Sequence, residues 1–252
     1  MKLAERLAAG DVLLTCWSGL PSADVALALA HTSYDVVTLD MQHGAHTETS
    51  IYPGIAAVTS AGKPAIVRIP VGRNDVASRA ADFGAEAIIA PMINSVEDAR
   101  AFAAAVKYPP IGERSWGPGR AMQLHGVSSP SEYLTTANDK VLTFAMIETR
   151  AALAVLDDIL AVPGIDGVFV GPSDFSISWT NGAQVAPELD DMNEALVTIA
   201  DRAREAGKYA AIFAVNPKRV PLYRSMGFSM MALGTEEIIL AAGAFELIAA
   251  AR

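Results

Sequence analysis

The chain has 252 residues, 52% of them hydrophobic and 19% charged, which supports a large buried core and excludes a disordered chain. Nineteen Lys and Arg against 28 Asp and Glu leave a formal net charge of -9. That balance argues against nucleic acid or an anionic membrane as the main partner, since both call for a basic surface. Any anionic substrate must be met by a local cation instead.

The N-terminal segment MKLAERLAAGD reads as an amphipathic helix rather than a signal peptide, because charge interrupts its apolar face. The single cysteine, Cys16, lies in the apolar run Val12–Trp17. It reads as a buried strand thiol and fits a reducing, cytoplasmic setting. No uncharged apolar stretch approaches the ~18 residues of a membrane helix. Strands are expected at Val12–Trp17, Asp35–Asp40, Ala65–Ile69, Ala87–Pro91, Val141–Glu148, Asp166–Gly171, Tyr209–Val215 and Ser229–Gly234. Continuous apolar runs of this length, bounded by Gly, Pro and Asp, suit parallel strands buried on both faces. Helical patterns lie between them, such as those at Asp75–Phe83, Ser95–Val106, Arg150–Leu160, Leu189–Ala206 and Thr235–Ala251. Gly62 and Gly207 fall where helix C-caps are expected. The segment Lys107–Lys140 breaks the rhythm with Gly, Pro and aromatic residues, and reads as an excursion over a surface or neighbour. Eight strand–helix alternations over roughly 250 residues predict a closed (β/α)8 TIM barrel. Residues 1–252 then form a single domain. An open dinucleotide-binding sheet lacks its G-x-G-x-x-G fingerprint here.

In such barrels the active site sits at the C-terminal ends of the strands. Strand two ends at Asp40 and runs into Met41-Gln42-His43; strand three carries Arg68 near its end; strand five ends in Ile147-Glu148; strand six leads through Gly171-Pro172-Ser173 to Asp174. Each has an ordinary structural explanation: an ion-pair partner, a helix cap, a turn residue. Four charges converging on one barrel end are another matter, because buried charges must be paired or bound to a metal. Two carboxylates on adjacent strand tips suit a hard cation such as Mg²⁺ or Mn²⁺. Zinc-type His/Cys spacing is absent. Lys63, Lys140 and Lys208 precede strands and Lys107 follows a helix, so none stands where a Schiff-base lysine is needed. His43, three residues beyond Asp40, is the candidate acid/base group, with Asp40 to orient it. His31, His46 and His125 lack such partners in sequence and read as ordinary residues.

The segment Tyr34–His43 resembles the Asp-x-Glu/Gln-His stretch of the HpcH/HpaI family, the class II metal-dependent 2-oxoacid aldolases typified by 4-hydroxy-2-oxoheptanedioate aldolase. The resemblance continues through Val67-Arg68, Ala90–Asn94, Gly112–Ser115, Ile147–Arg150 and Gly164–Asp174 and covers nearly the whole chain. It implies that Glu148 and Asp174 bind a divalent cation (Mg, Mn or Co). Arg68 would contact the 2-oxoacid and its enolate, and His43 would act as acid/base. The backbone at Gly171 and Ser173 would hold the substrate carboxylate. Asp82 matches a position near a neighbouring subunit's site, although the sequence alone reads it as a surface residue at a helix end. The family also implies a homohexamer, a trimer of dimers with an exchanged C-terminal helix.

Gln42 stands where many members have Glu, and Met146 where some have Gln; members with this Gln pattern resemble aldolases accepting hydroxypyruvate as well as pyruvate. The expected reaction makes or breaks a C–C bond between a pyruvate-like donor and an aldehyde, with negative charge stabilised by the metal and Arg68. A related acyl-CoA lyase would favour extra basic residues around the barrel mouth, which the sequence does not obviously supply. A non-catalytic barrel subunit would be marked by loss of one of the four strand-tip charges, and all four are present.

Overall fold

The computed structural model describes residues 2–252. Eight parallel strands close in sequence order into a barrel: β1 (Leu13–Ser18), β2 (Val36–Asp40), β3 (Ala65–Arg68), β4 (Ala87–Ala90), β5 (Leu142–Ile147), β6 (Gly167–Val170), β7 (Tyr209–Ala214) and β8 (Met230–Thr235). The strands are apolar on both faces because each face meets a different core. Leu142, Phe144 and Met146 of β5 point into the barrel with Trp17, Ile89 and Phe169. Ala145 and Ile147 alternate with them and pack outward against the helical layer. Cys16 faces that outer layer, fully buried, and burial pushes its thiol up to about 12.

The first helix, Leu3–Ala8, closes the N-terminal end of the barrel by sending Leu3 and Leu7 into the inner core. Lysines gather at this end, away from the strand tips. Lys107 is 1% exposed and its Nζ donates to Asp166 at 2.6 Å and to Val141 O at 2.7 Å. The ammonium of Lys63 caps the carbonyls of Thr32 and Tyr34, and that of Lys208 the carbonyl of Ile165.

Among the segments read from sequence, three take a different form, and further helices span Ala23–Ala30, Glu48–Ser60 and Val220–Ser225. Arg150–Leu160 is two short helices that meet at Val155, so that Leu156, Ile159 and Leu160 turn onto the barrel alongside Ala152. The run from Leu189 starts as a 3-10 turn over Asp190–Met192 before the α-helix Asn193–Glu205. The excursion Lys107–Lys140 holds helices Gly119–His125 and Pro130–Lys140 around a small core of Tyr108, Ala121, Tyr133 and Ala137. Two short helices flanked by Gly and Pro offer too few turns for an apolar period to show. Gly62 and Gly207 do sit at helix ends, at φ 77 and 69.

His125 gives the fold a titrating element. Its Nε2 meets Gly84 O at 3.0 Å and its Nδ1 meets the Lys2 ammonium at 2.9 Å. Burial, and then the Lys2 charge, push the imidazole down to about 4. Unfolding frees it to take a proton near 6.5, so stability is lost as pH falls from there towards 4, by at most about 3 kcal/mol. His125→Gln should flatten that part of the profile. Urea midpoints followed from neutral pH to about pH 4.5 check it, and equal slopes in both proteins would place the acid sensitivity elsewhere.

Candidate active site

Backbone register brings the four strand-tip charges together. Asp40 and Arg68 are direct partners across β2 and β3. Their side chains form a bidentate pair, Arg68 Nε to Asp40 Oδ1 at 2.8 Å and Nη2 to Oδ2 at 2.7 Å. The guanidinium also lies 4.9 Å from the centre of the Trp17 ring. The Asp40 carboxylate further accepts from Gln42 N at 3.0 Å and Gly44 N at 2.9 Å. Burial raises its pKa, but the Arg68 pair and then the Gln42 amide outweigh that and hold it below the ordinary carboxylate range. Asp40 therefore serves Arg68 rather than His43. The expected Asp40–His43 contact does not form, because the loop turns its amides, not the imidazole, toward the carboxylate.

His43 is exposed and stands at the rim of a cavity of about 160 Å³. Arg68, Glu148, Gly171, Ser173 and Asp174 line the same cavity, with an apolar wall of Trp17, Met146, Phe169, Phe213 and Val215. Glu148 is 1% exposed and accepts from Met92 N at 2.6 Å. Burial, with the neighbouring Asp174 charge, pushes its carboxyl up to about 7 against the pull of that amide and of Arg68. Gly171 makes room for it: a Cβ there would strike Glu148 Oε2 and come within 3.1 Å of Met146 Cε. The helix Pro172–Trp179 begins at this point, so first-turn N–H groups without helical acceptors meet the cavity. Among the described residues no group of three or more His, Cys, Asp or Glu is spaced to hold a metal. Two carboxylates with solvent space beside them nevertheless suit an oxygen-preferring dication that keeps water or substrate ligands.

Asp82 does not line this cavity; its carboxylate meets the buried Arg114 guanidinium at 2.5 Å. His46 differs from its sequence reading. It is buried, with Nε2 at 3.2 Å from Ser18 Oγ and Nδ1 at 3.0 Å from Ser50 Oγ. Burial lowers its pKa against the Glu236 and Asp40 charges. The aromatic wall was detectable in principle, since Trp17, Phe169 and Phe213 share the inward phase of their strands with Met146. The Met92 amide carried no sequence signal, because a left-handed backbone is unusual for methionine.

The family model for HpcH/HpaI aldolase/citrate lyase matches residues 13–242. A hydroxypyruvate/pyruvate aldolase of Rhizorhabdus wittichii is 37% identical over 243 residues, 96% of this chain and 95% of that protein. One of Roseovarius nubinhibens is 35% identical over 245 residues, 96% and 93% of the two chains. The crystal structure of an HpcH/HpaI aldolase from Desulfitobacterium hafniense superposes with a TM-score of 0.88 at 26% identity, over 99% of this chain and 96% of that one. A (β/α)8 barrel with this likeness is a carbon–carbon lyase of the aldolase class. The chain belongs to the HpcH/HpaI aldolase/citrate lyase family.

Met92 holds φ at 55°, a conformation that costs an L-residue about 1–2 kcal/mol, and its amide points at Glu148 as a result. Met92→Gly should keep the contact and raise the unfolding free energy by up to about 1 kcal/mol, measured by chemical denaturation. A loss of stability would mean that side-chain packing at Met92 outweighs the backbone strain.

Proposed function

We propose that the cavity enolises a pyruvate-like donor, pyruvate or hydroxypyruvate, and joins it to an aldehyde or releases it from one. The observation that carries this is the pairing of Glu148 with Asp174 beside a cation that is already engaged: Arg68 is held by Asp40. Two carboxylates left without a counter-charge fit a divalent cation, Mg²⁺, Mn²⁺ or Co²⁺, with Glu148 and Asp174 as its protein ligands. Such a cation, when bound, supplies Lewis-acid stabilisation of negative charge on the donor's keto oxygen. Arg68 keeps Nη1 and one Nη2 proton free of Asp40, and these donate to the same developing charge. The first-turn amides around Ser173, with the backbone at Gly171, hold the donor carboxylate. His43 at the rim moves the proton between solvent and the reacting oxygen or carbon. Asp40 acts through Arg68 as a positioning residue.

His43 and Arg68 are the only basic residues lining the cavity among those described. A coenzyme A thioester, with its phosphates, finds little to bind there, so a small 2-oxoacid is the better fit. The buried lone thiol supports a reducing, cytoplasmic setting. We also assign a homohexamer with exchanged C-terminal helices. The helix Glu236–Ala250 leaves Leu240, Phe245 and Leu247 exposed by 65%, 71% and 76%, an apolar face that a second copy would cover. Asp82 would then lie beside a neighbour's cavity.

Proton NMR in D₂O, with pyruvate and hydroxypyruvate as separate donors, tests enolisation without an acceptor. The donor protons should exchange, chelation by EDTA should stop the exchange, and Mg²⁺, Mn²⁺ or Co²⁺ should restore it. Glu148→Gln and Asp174→Asn should each abolish it in folded protein. Borohydride with pyruvate should leave no adduct; exchange that survives chelation, with a trapped lysine, would replace the metal by an imine. For the assembly, light scattering should give six times the 26.4 kDa of the chain, and Leu247→Glu should lower that mass. A monomeric parent would refute the hexamer.

A further inference from the structure

The helix Glu236–Ala250 is inverted in its burial. Of its large apolar residues only Ile239 packs against the core; the others are exposed on the single chain, while the one residue it fully buries is a carboxylate, Glu236, at 1% exposed. An isolated carboxylate in that position is costly, and this one is met by donors from another element. Glu236 Oε1 accepts from Gly19 N at 2.7 Å, Leu20 N at 2.6 Å and Ser18 Oγ at 3.1 Å; Oε2 accepts from Gly19 N at 2.9 Å. All three donors belong to the end of β1 and the loop after it.

That loop is in turn locked to the loop after β2. Gly19 O accepts from Ala45 N at 2.8 Å. The two chains approach so closely that a Cβ on Gly44 would lie 2.8 Å from Gly19 Cα. Ser18 Oγ also meets His46 Nε2 at 3.2 Å. His43 lies immediately before this contact, and among the described residues no side chain hydrogen-bonds its ring. The point from which the imidazole projects is therefore set by the backbone of residues 40–46. Asp40 anchors one end of that segment through the Gln42 and Gly44 amides. Gly19 anchors the other.

We propose that Glu236 is a positioning residue for the His43 loop: its carboxylate fixes residues 18–20, and through Gly19 these fix residues 43–46 at the cavity rim. The inference rests on the reading of His43 as the acid/base group. A residue that merely stabilised the C-terminal helix would need no acceptor reaching out of that helix. Glu236 spends its carboxylate oxygens on the neighbouring loop.

The test is Glu236→Gln, which keeps the side-chain volume but turns an NH₂ toward the Gly19 amide. Deuterium uptake, read by mass spectrometry on the full-length protein, should rise about tenfold or more at residues 18–20 and 43–46, with β4–β6 protected as in the parent. In donor proton exchange, kcat should fall about ten- to a hundredfold, the scale of a displaced catalytic group, with KM within about twofold. Uptake unchanged at residues 43–46, a loosened loop with parental kcat, or an even rise across the barrel would each overturn the proposal. Should the variant fail to fold, Glu236→Asp, one methylene short of the Gly19 and Leu20 amides, should show the same pattern at smaller amplitude; parental behaviour there also overturns it. A parent that exchanges no donor protons would sink the enolisation reading, while the uptake measurement would still decide the link from Glu236 to the loop.

Discussion

The ion pair between Asp40 and Arg68 is the constraint around which the cavity is built. The pair exists because β2 and β3 are in a register that makes these two residues opposite numbers at adjacent strand tips. Both side chains are nearly inaccessible, at 4% and 10% exposed, so removing either would strand the other and cost about 3–5 kcal/mol. The pair does more than neutralise charge. It fixes the plane of the guanidinium against Trp17 and directs the remaining N–H groups into the cavity. It also gives Asp40 a second duty, since the loop bends back to place the Gln42 and Gly44 amides on the same carboxylate. One residue thus orients the cation and shapes the turn that carries His43.

Charge is segregated along the barrel axis. Lys63, Lys107 and Lys208 are engaged with carbonyls or Asp166 at the N-terminal end, while Glu148 and Asp174 stand at the other end with Arg68 already paired. An acidic chain can still attract an anionic 2-oxoacid under this arrangement, because the field that matters is local. Burial drives Glu148 up to about 7 because the Met92 amide and Arg68, which is engaged by Asp40, do not offset it, and the site is left short of counter-charge. A dication between Glu148 and Asp174 would supply that counter-charge and invert the sign of the cavity for the substrate.

The strands were legible because both of their faces are buried, so apolar runs such as Leu142–Ile147 survive without the polar alternation that blurs half-exposed strands. Their order then placed Asp40, Arg68, Glu148 and Asp174 at one end, which requires only that a βα barrel be parallel. What the sequence hid was the direction of each contact. Asp40 and His43 are three residues apart and look like partners, yet Arg68, distant in sequence, is the registered neighbour. Helices Gly119–His125 and Pro130–Lys140 were lost among Gly and Pro. His46 looked solitary because its partners Ser18 and Ser50 come from different elements, and nothing in the sequence tied Glu236 to Gly19, 217 residues away.

A common device links these hidden contacts. At the C-terminal end of the barrel the loops leave the ladder, and their amides lose their strand acceptors. Three buried carboxylates take them up: Asp40 holds the amides of Gln42 and Gly44, Glu148 that of Met92, and Glu236 those of Gly19 and Leu20. In each case an anion that would be costly to bury alone removes an equal difficulty from the backbone, since an unpaired buried amide is costly too. The loops are therefore folded around acids rather than around apolar anchors. Small residues follow from this geometry: Gly19 and Gly44 can pass within contact of one another, and Gly171 leaves space for Glu148. Glu148, which holds the Met92 amide, also lines the cavity, so loop shape and charge in the cavity are parts of a single electrostatic arrangement.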